Sequence, residues 1–235
     1  ELKKLNNMTK VLPAIIPTSK EQLEEEIKKV AGFAELVQVD ISDGVFTGVK
    51  TWPYYGRDTE YFEKLKNEEE GWPKWEDVDI ELHLMVAHPE NVVEDWIKTG
   101  VSSVVAHVEA TNDFQKFIDI CKEKQVGVGV ALKPSTNIDS IKDFVSQVDF
   151  IQVMGSNLLG KHGVELEDTA IEMIKSLQKL YPDSIIAIDI GVTEENAETL
   201  VALGVDKIIS GGLILNSDNP AGEFKFLEST DSDVN

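Results

Sequence analysis

Eight short runs of β-branched and other apolar residues recur along this chain of 235 residues, and longer periodic segments separate them. The runs are VLPAII (11–16), ELVQVD (35–40), VDIELHL (78–84), SSVVAHV (102–108), VGVGVAL (126–132), VDFIQVM (148–154), SIIAIDI (184–190) and DKIISG (206–211). They are continuous rather than alternating, as parallel strands covered on both faces should be. Between them, KEQLEEEIKKVAGF, ENVVEDWIKTG, DFQKFIDICKEK and EENAETLVALG carry apolar residues at helical spacing, with Gly closing several of them. Eight strands alternating with helices predict an α/β fold of the (β/α)8 TIM-barrel type, for which this length is ordinary. An open doubly wound sheet is the competing architecture. It usually stops at about five or six strands and places its site at one crevice, whereas here polar residues end almost every run.

The expected organisation is one barrel domain over residues 1–235 with an enlarged insertion around 45–77. That insertion is too long for a plain connection between strand and helix. It holds three of the four Trp and two Pro, and a helix is predicted near 58–68. The rest reads either as a Trp-rich flap or lid or as packing decoration.

Asp plus Glu number 43 against 22 Lys plus Arg, a formal net charge of −21. Such a surface repels nucleic acid and anionic membrane, so neither is an expected partner. An anionic substrate would then need a local nest of donors. Cys121, the only cysteine, sits on an apolar helix face, which excludes a disulfide framework within the chain and a thiolate metal cluster. The opening ELKKLNNMTK lacks the apolar run of a signal peptide, and no stretch approaches the length needed to span a bilayer. Cytoplasm is the expected location; a homo-oligomer is left open.

Chemistry gathers at the strand ends. Asp40 closes VQVD and Asp189 closes IAID, each at the end of a run that otherwise reads as core. A carboxylate there is costly to bury unless it is paired or ligates something, although helix capping would explain one of them. Two of them on strands opposite in a ring suit proton removal on one face of a carbon and proton return on the other. His83 shares its strand face with Glu81 and brings Met85 to the rim. His107 and Glu109 form a second same-face pair, in which His107 either orients a ligand, stiffens the site by hydrogen bonding or is purely structural. The last loops, IDIGVT and IISGGLI, offer Gly191, Gly211 and Gly212 where barrels usually hold phosphate, and MGSNLLGKHGV adds Gly160 and His162.

In order and spacing these segments resemble the ribulose-phosphate 3-epimerase family, from about residue 11 to residue 228. LPAIIPT answers to the family's opening strand, QVDISDG to its second-strand segment and HLMVAHP to its third. HVE, KPST, IDIG and SGGLI follow in the family's order. The resemblance implies a ribulose-phosphate-binding barrel that interconverts D-ribulose 5-phosphate and D-xylulose 5-phosphate, or a related phosphorylated ketose, through an enediolate. It implies a divalent metal (Zn, Mn, Mg or Fe) and no nucleotide cofactor. By position the metal residues are Asp40, His83 and Asp189, with Asp40 and Asp189 also serving as acid and base. The place of a further histidine is taken by Gln38, a possible fourth ligand and a weaker one for Zn²⁺ than imidazole. Substrate and phosphate contacts are implied for His83, Met85, His107, Gly160, His162, Gly191, Gly211 and Gly212.

The chain also departs from the family pattern. Leu12 and Ala14 stand where the family has serines, SNLLGKH replaces a Pro-Gly-Phe-Gly-Gly-Gln loop, and Ile190 lies between Asp189 and Gly191. A different synthase, lyase or decarboxylase on the same barrel is one alternative reading, and a non-catalytic sugar-phosphate-binding protein is another. The synthases and decarboxylases expect an Asp-x-Lys-x-x-Asp cluster, and Asp40-Ile41-Ser42-Asp43 lacks that lysine.

Overall fold

The computed structural model describes residues 9–56, 58–161 and 163–230, and in it eight parallel strands pair in chain order and close into a barrel. The strands are β1 (Lys10–Ile15), β2 (Leu36–Ser42), β3 (Asp79–Met85), β4 (Ser103–His107), β5 (Gly127–Leu132), β6 (Phe150–Met154), β7 (Ile185–Asp189) and β8 (Lys207–Ser210). Each lies where the sequence places it, with ends shifted by a residue or two. Pairing of β8 with β1, Val11 opposite Ile208 and Leu12 opposite Ile209, completes the ring and disposes of the open-sheet alternative.

Helices α1 (Lys20–Val30), α2 (Glu60–Lys66), α3 (Val93–Ile97), α4 (Phe114–Glu123), α5 (Asp168–Leu180), α6 (Glu194–Ala202), α7 (Gly212–Leu215) and α8 (Pro220–Ser229) lie between and after the strands. Side-chain caps start several of them: Ser19 accepts from the Gln22 amide before α1, and Asp113 from the Lys116 amide before α4. In α4 the buried Phe114, Phe117, Ile118 and Cys121 form one stripe at the spacing an inward helix face requires. The pattern ENVVEDWIKTG yields less helix than its periodicity suggests. His88 takes a left-handed φ of 56°, Pro89 opens a 3-10 turn over Pro89–Asn91, and only then does α3 begin.

Strand side chains divide between two compartments by parity. Val37, Val39, Ile41, Leu82 and Leu84 join the large core between strands and helices. Leu12, Ala14, Val105, Ala131, Phe150, Ala187 and Ile209 form a separate small cluster inside the ring. Gln38, Asp40, Glu81, His83, His107, Gln152, Asp189 and Lys207 share the inward parity and are all buried. The interior is therefore unusually polar for a packed barrel.

The segment between β2 and β3 differs from the lid reading. Trp52 and Trp72 are buried, and Trp52 lies 5.6 Å from Tyr61 and 6.1 Å from both Trp72 and Trp96, ring centre to ring centre. Aromatic area of this size is worth more buried against α2 and α3 than exposed over a cleft. Trp75 alone of the three stays exposed. Thr51 also ties the segment to β2, accepting from the Ser42 amide at 2.8 Å and donating to the Asp40 carbonyl at 2.9 Å. Among the described residues no helix is long and apolar enough to cross a membrane.

Candidate active site

Parallel register places the inward groups at one end of the ring. Asp40 pairs with His83 across β2 and β3, and Met154 with Asp189 across β6 and β7. Within that ring His83 Nδ1 lies 3.2 Å from Asp40 Oδ1 and 3.6 Å from Asp189 Oδ2. Ligand atoms of all three residues fall within 4.8 Å of one another. Two carboxylate oxygens and one imidazole nitrogen so disposed fit a divalent cation of mixed oxygen and nitrogen preference, such as Mn²⁺, Fe²⁺ or Zn²⁺.

The tautomer of His83 follows from its neighbours. Its Nε2 meets His107 Nε2 at 3.0 Å, and His107 Nδ1 meets Glu109 Oε2 at 3.0 Å. Glu109 also accepts from the Lys133 amide at 2.7 Å and from the Thr136 hydroxyl. Burial works against ionising Glu109, but the His107 hydrogen bond and these donors prevail and bring its pKa down to about 2. An ionised carboxylate only accepts, so His107 carries its proton on Nδ1 and offers a bare Nε2. His83 must then donate through Nε2, which leaves Nδ1 as the atom that turns to Asp40 and Asp189. Burial holds His107 neutral, with its pKa lowered to about 4. For His83, burial opposes the charge, but the hydrogen bond to Asp40 and the nearby carboxylates outweigh it and raise the pKa. Asp189 is pushed up to about 7, first by burial and then by the charge of Asp40.

Beneath this cluster lies a polar chain that the sequence reading missed in part. Lys207 Nζ contacts Glu81 at 2.6 and 2.7 Å, and Gln38 Nε2 donates to Glu81 at 2.9 Å and to Gln152 Oε1 at 3.0 Å. The amide nitrogen of Gln38 is thus committed, while its Oε1 is buried with no hydrogen-bond partner among the described residues. An orphaned oxygen of this kind suits a cation or a water. Glu81 was visible as a partner on the His83 face. Gln152 interrupts an apolar run and Lys207 opens one, both at inward parity, and that placement was the available signal.

A cavity of about 670 Å³ opens above, lined by Asp40, Met85, Asp189, Gly160, Gly191, Gly211 and Gly212 together with Lys161, Glu165 and Asn216 among others. The Gly residues singled out for phosphate therefore share one cavity with both acids. His83 and His107 are fully buried and stack 5.1 Å apart behind it, so neither lines the cavity wall. His162 lies outside the described residues. Met85, Met154 and Leu159 form a small apolar cluster at the mouth, with Phe46 and Ile190 packed against it.

Fold and site together define an eight-stranded α/β barrel with an acidic, imidazole-bearing centre at the carboxyl ends of its strands, the place where barrel enzymes work. A model of the ribulose-phosphate 3 epimerase family matches residues 10–215, and the chain belongs to that family of enzymes. It is 26% identical over 212 residues to the ribulose-phosphate 3-epimerase of Schizosaccharomyces pombe, covering 90% of this chain and 89% of that protein. To the Synechocystis protein of the same name it is 27% identical over 220 residues, covering 90% of this chain and 89% of that one. In fold it is similar to 3-hexulose-6-phosphate synthase from Salmonella typhimurium, with a TM-score of 0.69 at 16% identity over 95% of this chain and 98% of that one.

Proposed function

We propose that this protein interconverts D-ribulose 5-phosphate and D-xylulose 5-phosphate, or a closely related ketose phosphate, by proton transfer at the carbon beside the carbonyl. The observation that carries the reading is the pair of buried acids, Asp40 and Asp189, brought from β2 and β7 to one cavity around a single imidazole. Family membership supports it independently. One carboxylate removes the proton from one face of C3 and the other returns a proton to the opposite face, inverting that carbon by way of an enediolate. In the metal-free protein burial and the charge of Asp40 hold the Asp189 carboxyl well above the ordinary carboxylate range, which favours its taking up a proton.

Asp40, His83 and Asp189 would hold the divalent metal, with the Gln38 oxygen as a further candidate. When bound, the metal supplies positive charge for the negative charge that develops on the sugar oxygens. His107 and Glu109 keep the His83 ring in the tautomer whose Nδ1 faces the acids. Amides around Gly191, Gly211 and Gly212, with the loop at Gly160, receive the phosphate, and Met85 shields the reacting carbon from water.

The test is turnover of D-ribulose 5-phosphate by the Asp40→Asn and Asp189→Asn proteins. Each should fall by at least about 10²-fold, the usual scale of acid–base catalysis, with folding retained. Near-normal turnover by either variant would rule the two-acid mechanism out.

A further inference from the structure

The polar chain under the site has a fixed sense of direction. Glu81 accepts from Lys207 on both oxygens, from the Ser103 hydroxyl at 2.7 Å and from Gln38 Nε2 at 2.9 Å. A carboxylate held by an ammonium only accepts, so Gln38 must turn its nitrogen toward Glu81. The other hydrogen of that nitrogen goes to Gln152 Oε1 at 3.0 Å. Gln152 is thereby obliged to present its own NH₂ on the far side. There it meets Asp189 Oδ2 at 3.3 Å, His83 Nδ1 at 3.4 Å and Met154 Sδ at 3.7 Å. Reversing either amide would set oxygen against oxygen or N–H against N–H. Gln38, Gln152 and His83 are fully buried, so such a clash would be costly.

We infer that Gln152 is a positioning residue for the Asp189 carboxylate, held in its working orientation by the chain Lys207–Glu81–Gln38. This rests on the reading of Asp40, His83 and Asp189 as the reacting and metal-holding cluster. Donation to Oδ2 fixes the rotation of the Asp189 carboxylate, which otherwise leans on the Ile190 backbone N–H. The same NH₂ group occupies a lone pair on Asp189 Oδ2 and crowds His83 Nδ1, two positions that a cation at the cluster needs. Loss of Gln152 therefore has two effects of opposite sign: a poorly aimed acid turns over less, and a cation meets less competition. A side chain with a merely structural role would loosen both.

The experiment compares wild type, Gln152→Leu and Gln38→Leu in Mn²⁺ affinity and in steady-state turnover of D-ribulose 5-phosphate. In the metal-free protein the Gln152 side-chain NH₂ resonance is followed by ¹⁵N NMR, with and without Asp189→Asn. For Gln152→Leu, kcat should fall about tenfold or more, the scale on which loss of an orienting partner costs activity, with KM within about twofold, while the Mn²⁺ Kd falls about threefold, the scale of one net hydrogen bond removed from the competition. Gln38→Leu, which leaves Gln152 in place but unaligned, should show smaller shifts in the same two directions. In wild type the NH₂ resonance should move when Asp189 becomes Asn. Unchanged kcat in Gln152→Leu, or weaker Mn²⁺ binding, would overturn the inference, and so would an NH₂ resonance indifferent to Asp189→Asn. If wild type bound no Mn²⁺, the metal-holding reading would fail by itself, and the NH₂ resonance would still decide this inference. The resonance decides it equally if Gln152→Leu does not fold.

Discussion

Glu109 is not among the residues lining the cavity, yet it determines which nitrogen of His83 is committed to a hydrogen bond and which is left for a metal. It accepts from His107 Nδ1, so His107 accepts from His83 Nε2, and His83 Nδ1 is left for the acids. Glu109→Gln keeps the shape but allows the amide to present either end, and the tautomer is no longer dictated. Divalent metal affinity should fall by about tenfold or more, as is usual when such an outer partner is lost, and calorimetry with Mn²⁺ checks it. Asp189 makes a prediction in pH. Its folded pKa of about 7 lies above the ordinary carboxylate value because burial and Asp40 both oppose its charge. The folded state thus binds the proton more tightly than the unfolded chain. Its contribution to stability is present below about pH 4 and is lost as pH rises through 7. With metal chelated, Asp189→Asn should gain in melting temperature relative to wild type as pH rises from 5 to 8. An advantage that stayed constant would show that Asp189 ionises freely in the fold. At this scale much was legible. Asp40, His83 and Asp189 announced themselves because each is a polar residue set in or at the end of an apolar run. Lys207 did not, because its partner Glu81 lies 126 positions away and only closure of the ring brings the two together.

Elements fix the site where β6 and β7 hand over to their loops. A Cβ on Gly155 would come within 2.0 Å of the Ile190 carbonyl oxygen, and one on Gly191 within 2.6 Å of the Leu166 amide nitrogen. These two loops are pressed together backbone to backbone beside Asp189, which accounts for glycine at both positions better than any contact with ligand. Ile190 itself adopts a left-handed φ of 78° in this crossing. Gly155→Ala should therefore displace the loops and lower stability well beyond the roughly 1 kcal/mol expected of Gly163→Ala, where none of the described residues lies within 4 Å of the added carbon. Thermal unfolding of both variants checks this, and equal effects would deny the close approach. The insertion makes a second prediction. Trp52 is fully buried among Tyr61, Phe62, Trp72 and Trp96, so Trp52→Ala should cost about 3–5 kcal/mol by chemical denaturation. The strands and α2 were legible because period and length mark them locally. The aromatic cluster was not, because Trp96 comes from α3, outside the insertion, and a Trp-rich loop reads the same in sequence whether it packs or projects.

Over the whole molecule, a net charge of −21 sets the terms on which an anion is held. Distant surface charge is screened within roughly 8 to 10 Å, whereas backbone N–H groups act at hydrogen-bond distance. Gly191, Gly211 and Gly212 line the cavity on the side of β7 and β8, and Lys161 is the lysine that joins them there. Glu165 lines the same cavity and offsets the charge of Lys161. Affinity for a sugar phosphate should accordingly suffer more from Gly211→Val, which fills the nest, than from Lys161→Ala. The reverse order would place the anion on the sixth loop instead. Barrel closure in turn explains how residues from β2, β3, β4, β6 and β7 act as one site, and that closure was foreseeable from eight runs alone. The central claim is that two acids work on opposite faces of one carbon. It is tested most directly by following solvent deuterium into C3 of D-ribulose 5-phosphate and of D-xylulose 5-phosphate in D₂O. Wild type should label C3 from either epimer with inversion. Asp40→Asn and Asp189→Asn should both lose inversion, each still labelling one epimer, and not the same one. If a single variant lost labelling from both epimers while the other went on inverting C3, one carboxylate would be doing all the proton transfer and the account would be wrong.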